Sequence, residues 1–300
     1  MRNNQTTATL YRIPFRRVLP YFAIPLALYL FMVLVPLVEA FYYSLNNTFN
    51  YRLTFAGFDN YKRLLADPYF YLSLKNNAIV ILVSIGLQMV PAFIIMAAMT
   101  TKLVVAKKFV QTIFFFPVVI SPLVTAYIWK VMYSNQYGVI NQLLKVVGLP
   151  GWQQNWLGDP KVIMTSISIP LGWQYIGFYL VILLAGLTSI DRDILEAAEI
   201  DGATGTKRAI YVILPLMRNT INVSLLLCLS GSIKIFDQIY AMSAGGPGHA
   251  STVLAMYAYT ASFLQNDYGY GSAISVMMLV ISFIIIIVMT RVRRATGQNE

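Results

Sequence analysis

Charged side chains are scarce here: Asp, Glu, Lys and Arg together make up 11% of the 300 residues. A soluble domain carries roughly 25%. With 58% hydrophobic residues and a mean hydropathy of +0.64, the chain cannot cover a water-facing surface. Soluble domains, disordered chains and collagen-like repeats are thereby excluded. Cysteine is almost absent. The single Cys228 forms no intrachain disulfide, which excludes a stapled secreted scaffold. It sits in an apolar run and reads as a small packing residue rather than a reactive thiol. Histidine is equally rare: His249 stands alone in a Gly-rich loop, and one His makes no typical metal site. No strand-like alternation points to a β-barrel. No Gly-rich loop ends in Lys-Ser/Thr, so ATP should not bind this chain, and no nucleophile–base set is recognisable. A net charge of +10 would ordinarily suggest nucleic acid. The basic residues are scattered between apolar spans instead, as membrane orientation requires.

What is abundant is apolar sequence in long runs. A helix needs about 20 apolar residues to cross a hydrocarbon core of roughly 30 Å. Six stretches qualify, near Val18–Leu45, Ala78–Met99, Phe109–Met132, Val162–Leu187, Leu216–Ile239 and Gly271–Met289. The first follows Arg16 and Arg17, and Val38-Glu39-Ala40 imitates a signal-peptidase site. The run is too long for a signal peptide, so an uncleaved first helix is expected. No internal repeat is visible. The 1–300 chain therefore reads as a single all-α, multi-pass membrane domain.

Lys and Arg placement orients it. Fourteen of the 22 basic residues fall on one side: Arg2, Arg12, Arg16, Arg17, Lys102, Lys107, Lys108, Arg192, Lys207, Arg208, Arg218, Arg291, Arg293 and Arg294. Both termini and the loop between the fourth and fifth helices are expected to be cytoplasmic, and an even helix count gives the same parity. Two outward segments look ordered. In 51–76, Asp59 or Asn60 is placed to cap a short helix. In 134–160, Val139, Leu143, Leu144 and Val147 recur at helical spacing before Gly148-Leu149-Pro150-Gly151, with Trp152 and Trp156 suited to the headgroup level.

The cytoplasmic loop 189–215 differs from the rest. Asp191, Asp193, Glu196, Glu199 and Asp201 place five of the twelve acidic residues within eleven positions. Ser189 or Asp191 can cap a helix there, and Gly202 can end it in a left-handed conformation. A second helix can follow from Thr204 to Leu214, with Pro215 opening the fifth span. An acidic hairpin is poorly suited to lying on the negative inner leaflet, so something else should grip it.

Glu196-Ala197-Ala198, three residues, Gly202, nine residues, Val212, one residue and Leu214-Pro215 resemble the EAA loop of ABC-importer permease subunits. The family usually has Ile where Val212 stands. The resemblance implies a six-helix, type I ABC-importer permease core whose 196–215 loop couples to an ATP-binding subunit. By the same resemblance, Glu196 and Asp201 make polar contacts there. Ala197 and Ala198 allow close approach, Gly202 turns the chain, and Leu214-Pro215 complete the motif. Phe58-Asp59-Asn60-Tyr61, Leu64-Leu65 and Asp67-Pro68 are similar to the first outer loop of the carbohydrate branch. Phe236-Asp237-Gln238-Ile239-Tyr240 with Gly245-Gly246-Pro247 is similar to its MalF-like half. The implied partners are a MalG-like second permease subunit, two ATP-binding subunits carrying ATP and Mg, an extracellular or periplasmic sugar-binding protein, a sugar or oligosaccharide, and membrane lipid. No nucleic acid and no cofactor in this chain are implied. The implied location is the inner membrane of a bacterial or archaeal cell.

For the solute path, Lys234 and Asp237 are placed three residues apart on one helix face, with Ser232, Gln238 and Tyr240 nearby. They either pair with each other or line the path. Trp173, Gln174 and Tyr175 follow Pro170 and Gly172, a run able to kink a helix. They either pack against a partner or line the path. Other solutes (a polyamine, phosphate ester or inorganic anion) remain alternatives. A phosphorylated solute calls for several basic residues, and only Lys234 lies in the spans, with Lys130 at the outer end of the third. A secondary transporter or intramembrane enzyme would need carboxylates or a nucleophile within the spans.

Overall fold

The computed structural model describes residues 15–49, 52–101 and 104–295, leaving aside the side chains of 15–18, 49 and 292–295. Arg2, Arg12 and Lys102, and the side chains of Arg16, Arg17, Arg293 and Arg294, lie outside this description. Helix α1 (Phe15–Ser44) is followed by an antiparallel hairpin, β1 (Asn46–Phe49) and β2 (Arg52–Phe55), which the apolar pattern does not announce. Then come α2 (Asp59–Ala66), α3 (Pro68–Ser84), a π turn (Ile85–Met89) and α4 (Val90–Met99). The next elements are α5 (Lys107–Val119), α6 (Pro122–Met132), α7 (Val139–Val146) and α8 (Ile163–Thr188). The 189–215 loop holds α9 (Arg192–Ile200), α10 (Gly205–Arg208), a π turn (Ala209–Ile213) and α11 (Leu214–Leu216). The chain closes with α12 (Arg218–Ile233), α13 (Asp237–Ser243), α14 (Leu254–Tyr259), a π turn (Thr260–Leu264) and α15 (Tyr268–Ala295).

Four helical stretches are long and apolar enough to cross a membrane unbroken: Leu19–Ser44, Pro68–Met99, Ile163–Thr188 and Tyr268–Arg291. The other two expected spans are bent pairs. Between α5 and α6 the axis turns by 95°, and between α11 and α12 by 77°. The first bend follows from Pro122. It forces Ser121 into an extended conformation (ψ 138°), and Ile120 is extended as well. The second falls at Met217, just after Pro215. Pro215 therefore sits on the short helix before the bend and does not open the fifth span.

The second span starts ten residues earlier than the apolar run suggests. Asp67 caps α3 by accepting from the Tyr69 amide at 2.9 Å, and Pro68 occupies the first turn. The early start brings Asn76 and Asn77 inside the fold, where both are buried. Asn77 Nδ2 donates to the carbonyls of Ser232 (3.1 Å) and Ile233 (3.2 Å). A continuing helix would have used those acceptors for Phe236 and Asp237. Helix α12 therefore ends at Ile233 rather than running on to Ile239. Asn77 Oδ1 accepts from the Leu254 amide at 2.8 Å, and Asn76 holds the carbonyls of Ala250 and Thr252. Two adjacent amides thus fasten the irregular segment between α12 and α14 at membrane depth, where unpaired backbone groups are not tolerated.

Helix α8 is the central element, packed on α3, α4, α5, α6 and α12. It runs unbroken through Pro170. Pro170 has no N–H for the Ser166 carbonyl, but the Tyr133 hydroxyl donates to that oxygen at 2.8 Å. Gly177 admits α5: a Cβ there would lie 2.1 Å from the Phe114 carbonyl oxygen. Helix α1 packs along α15, and most of its side chains remain exposed. The outer helix α2 starts at Asp59, with Phe58 at its cap and no side-chain cap bond. Asn60 is used differently, donating to the Ser44 and Asn46 carbonyls at 3.0 and 2.9 Å and so anchoring the hairpin. Outer helix α7 ends at Gly148 (φ +82°). Trp152 there is exposed, while Trp156 donates to Asn141 Oδ1 at 2.8 Å.

Candidate functional site

The 189–215 loop is built as a capped helix and a tight turn. Asp191 is the cap of α9, its Oδ1 accepting from the Asp193 amide at 3.1 Å; Ser189 is not the cap. At the other end the Gly202 amide donates to Glu199 O (3.1 Å) and the Ala203 amide to Ala198 O (2.8 Å). Gly202 has φ +81°, so this is a Schellman ending that a β-branched residue could adopt only under strain. Glu196, Ala197, Asp201 and Gly202 are exposed, and Ala198 is half-buried. Leu195 packs inward against the core around Met96, Leu180 and Ile213. Ile200 is 87% exposed and Tyr211 77%. Large apolar side chains held out on an ordered acidic hairpin suit contact with another protein. Leu214 and Pro215 are exposed on α11, on the return limb.

The second feature is a cavity of about 230 Å³ between α3, the π turn, α8 and α12. Ser84, Gln88, Tyr175, Tyr179, Cys228 and Ser232 supply its polar groups, and Val80, Leu171, Phe178, Leu227 and Ile235 its apolar wall. The π turn sets Gln88 here. Its Nε2 donates to Leu171 O at 3.3 Å, and Oε1 accepts from Cys228 Sγ at 3.9 Å. Cys228 is indeed buried. Among the described residues no ionised side chain lines the cavity. Hydroxyl, amide and aromatic groups in an apolar wall match the hydroxyls and C–H faces of a sugar.

The path residues expected from sequence are dispersed. Tyr175 lines the cavity. Trp173 is 40% exposed and meets Trp129 edge-on at 6.0 Å. Gln174 is buried and donates to Ile120 O at 2.8 Å, just before the α5–α6 bend. Lys234 and Asp237 do not share a helix face. Lys234 ends α12 and borders a separate groove of about 510 Å³ formed by α1 and α15, whereas Asp237 opens α13. The ion pairs among the described residues are Lys62–Asp59, Arg63–Asp267 and Arg208–Glu199, so Lys234 and Asp237 do not form one. Gln238 is fully buried, and Tyr240 stacks on Phe236 at 5.2 Å. Sequence reasoning missed Ser84, Gln88 and Tyr179. Their signal was a polar pair four residues apart in an apolar span, Ser84 and Gln88.

At the start of α3, Asp67 accepts hydrogen bonds from the Tyr257 and Tyr270 hydroxyls. Arg63 pairs with Asp267 at 2.5 Å and covers the Tyr270 ring at 4.0 Å. Burial alone would raise the Asp67 pKa. The two hydroxyls, the Tyr69 amide and the Arg63 charge outweigh it and hold the carboxyl below the usual range. The His249 ring lies 4.6 Å from that of Tyr69. Among the described residues no three His, Cys, Asp or Glu gather as a metal site.

Comparison with known proteins then places the chain among relatives. Residues 64–298 match the family described as "Binding-protein-dependent transport system inner membrane component". The chain is 32% identical over 288 residues to "Probable ABC transporter permease protein YurN" of Bacillus subtilis, covering 95% of this chain and 98% of that one. It is 31% identical over 293 residues to "Trehalose/maltose transport system permease protein MalF" of Thermococcus litoralis, covering 95% and 97%. Its fold matches a chain of a bacterial ABC transporter "involved in the import of the acidic polysaccharide alginate", with TM-score 0.80 at 23% identity, over 95% of this chain and 98% of that one.

Proposed function

The chain belongs to the family of inner-membrane components of binding-protein-dependent transport systems, and from that premise we propose that it carries a neutral sugar or oligosaccharide. It is a multi-pass permease, a transport component rather than an enzyme. The observation that carries the solute assignment is the cavity between α3, α8 and α12, whose polar lining is hydroxyl, amide and aromatic with no ionised side chain. A relative named for trehalose and maltose supports the same class. A polyamine would call for carboxylates in that wall, and a phosphate ester for lysines or arginines. Lys234 turns instead towards α1 and α15.

In this proposal the chain supplies half of the pathway, and a MalG-like second permease subunit supplies the other. Two ATP-binding subunits carry ATP and Mg and grip Glu196, Ala197, Ala198, Asp201 and Gly202. A sugar-binding protein delivers the solute outside. Both termini and the 189–215 loop face the cytoplasm, as the basic residues direct. The test is competition for uptake in vesicles holding the assembled transporter. Neutral di- and oligosaccharides should compete, whereas uronate oligosaccharides and polyamines should not. Competition by a charged class alone would overturn the assignment. Within the cavity, Gln88→Leu and Tyr175→Ala should reduce uptake while the subunits still assemble.

A further inference from the structure

Arg208 ties the 189–215 loop to the end of the cavity-lining span by polar contact. Its side chain is only 14% exposed. Nη2 donates to the Thr100 carbonyl at 2.9 Å, and Nη1 to Glu199 Oε2 at 3.3 Å. Its Nε is buried without a partner among the described residues, so the two Nη contacts are its only side-chain hydrogen bonds there. Glu199 lies on α9, and Thr100 is the C-cap of α4. Helix α4 continues directly from the π turn that presents Gln88 to the cavity. The three groups therefore join the exposed hairpin, the return limb and the wall of the cavity in one contiguous chain. Leu195 adds apolar contact with the same core, but such contact slides, whereas a planar guanidinium fixes two acceptors in direction.

We propose that Arg208 is a positioning residue that transmits movement of α9, driven from the ATP-binding subunits, to α4 and so to the Gln88 side of the cavity. This rests on the reading of α9 as the gripped helix. Coupling of this kind is a free energy between two sites and can be read at either end.

The native Cys228 thiol lies in the cavity beside Gln88 and reports on that end. The experiment compares the complete transporter, wild type and Arg208→Gln, by the rate at which a small maleimide labels Cys228 with and without ATP, followed on the labelled peptide. Co-purification of the ATP-binding subunits and ATP hydrolysis are measured in parallel. ATP should change Cys228 labelling in the wild type by about fivefold or more. In Arg208→Gln that change should be lost, with the ATP-binding subunits still bound and hydrolysing. Arg208→Lys, which can keep the Thr100 contact, should retain part of it, as a merely structural role would not. An ATP response in Arg208→Gln equal to that of the wild type overturns the proposal. So does loss of the ATP-binding subunits from both variants, which would make Arg208 a docking group. Failure of the α9 reading is separately visible, because Gly202→Val and Glu196→Lys would then leave both co-purification and the ATP response intact.

Discussion

Asn77 shows how much one amide can decide. Its side chain closes two carbonyls of α12 and one amide of α14 at once. Replacing it with Leu would leave these groups unpaired in an apolar setting, at about 1–3 kcal/mol for each unsatisfied group. Asn77→Leu should lower the thermal stability of the detergent-solubilised protein, whereas Leu82→Ala, on an exposed face of α3, should not. Unchanged melting would refute the capping role. Asp67 makes a pH prediction. Its folded pKa lies below the usual carboxylate value of about 3.9, so its contribution to stability is full above that value. It is lost as the pH falls through the lowered folded pKa. Asp67→Asn should therefore be less stable than wild type at pH 7, and the gap should close under strong acid. A gap that is constant with pH would show that the charge is irrelevant.

At the level of elements, the α9–Gly202 hairpin was legible because caps and turns are local. Asp191, the acidic first turn and Gly202 act within a few residues of themselves. Gly202→Val forces a β-branched residue to φ near +81°, a strain of about 1–3 kcal/mol. Uptake should fall, and the ratio of ATP hydrolysed to solute carried should rise, while membrane insertion is unchanged. Transport equal to wild type would remove the turn from the coupling machinery. The fifth span was not legible in the same way. Hydropathy runs from Leu216 to Ile239, but Asn77, 156 residues earlier in the chain, ends the helix at Ile233. This separates Lys234 from Asp237, so their substitutions should act independently. In a double-mutant cycle of Lys234→Met and Asp237→Asn, effects on uptake should add to within about 0.5 kcal/mol. A double mutant that recovers what either single mutant loses would restore the ion-pair reading.

For the whole molecule, the prediction concerns sidedness. In a Cys228→Ser background, Thr206→Cys on the exposed cytoplasmic loop should react with an impermeant thiol reagent only when the inner face is accessible. Gln154→Cys, exposed after α7, should react only from the outside. Reversed labelling would overturn the orientation drawn from the basic residues.

Composition and hydropathy alone determined that the chain is helical and crosses the membrane, because a water-poor solvent demands about 20 apolar residues per span whatever the packing. Local sequence determined the α9–Gly202 hairpin, since its capping bonds are short-range. What only the tertiary structure decided is where a span stops and which side chains meet. The donation of Tyr133 to the carbonyl freed by Pro170 and the capping of α12 by Asn77 each depend on groups brought together by packing. The cavity was hidden for the same reason: its polar groups come from α3, the π turn, α8 and α12, and no window along the chain contains them all. Of the expected path residues Tyr175 and Ser232 reached it, because neighbouring positions on one helix face different directions, and a third dimension chooses among them.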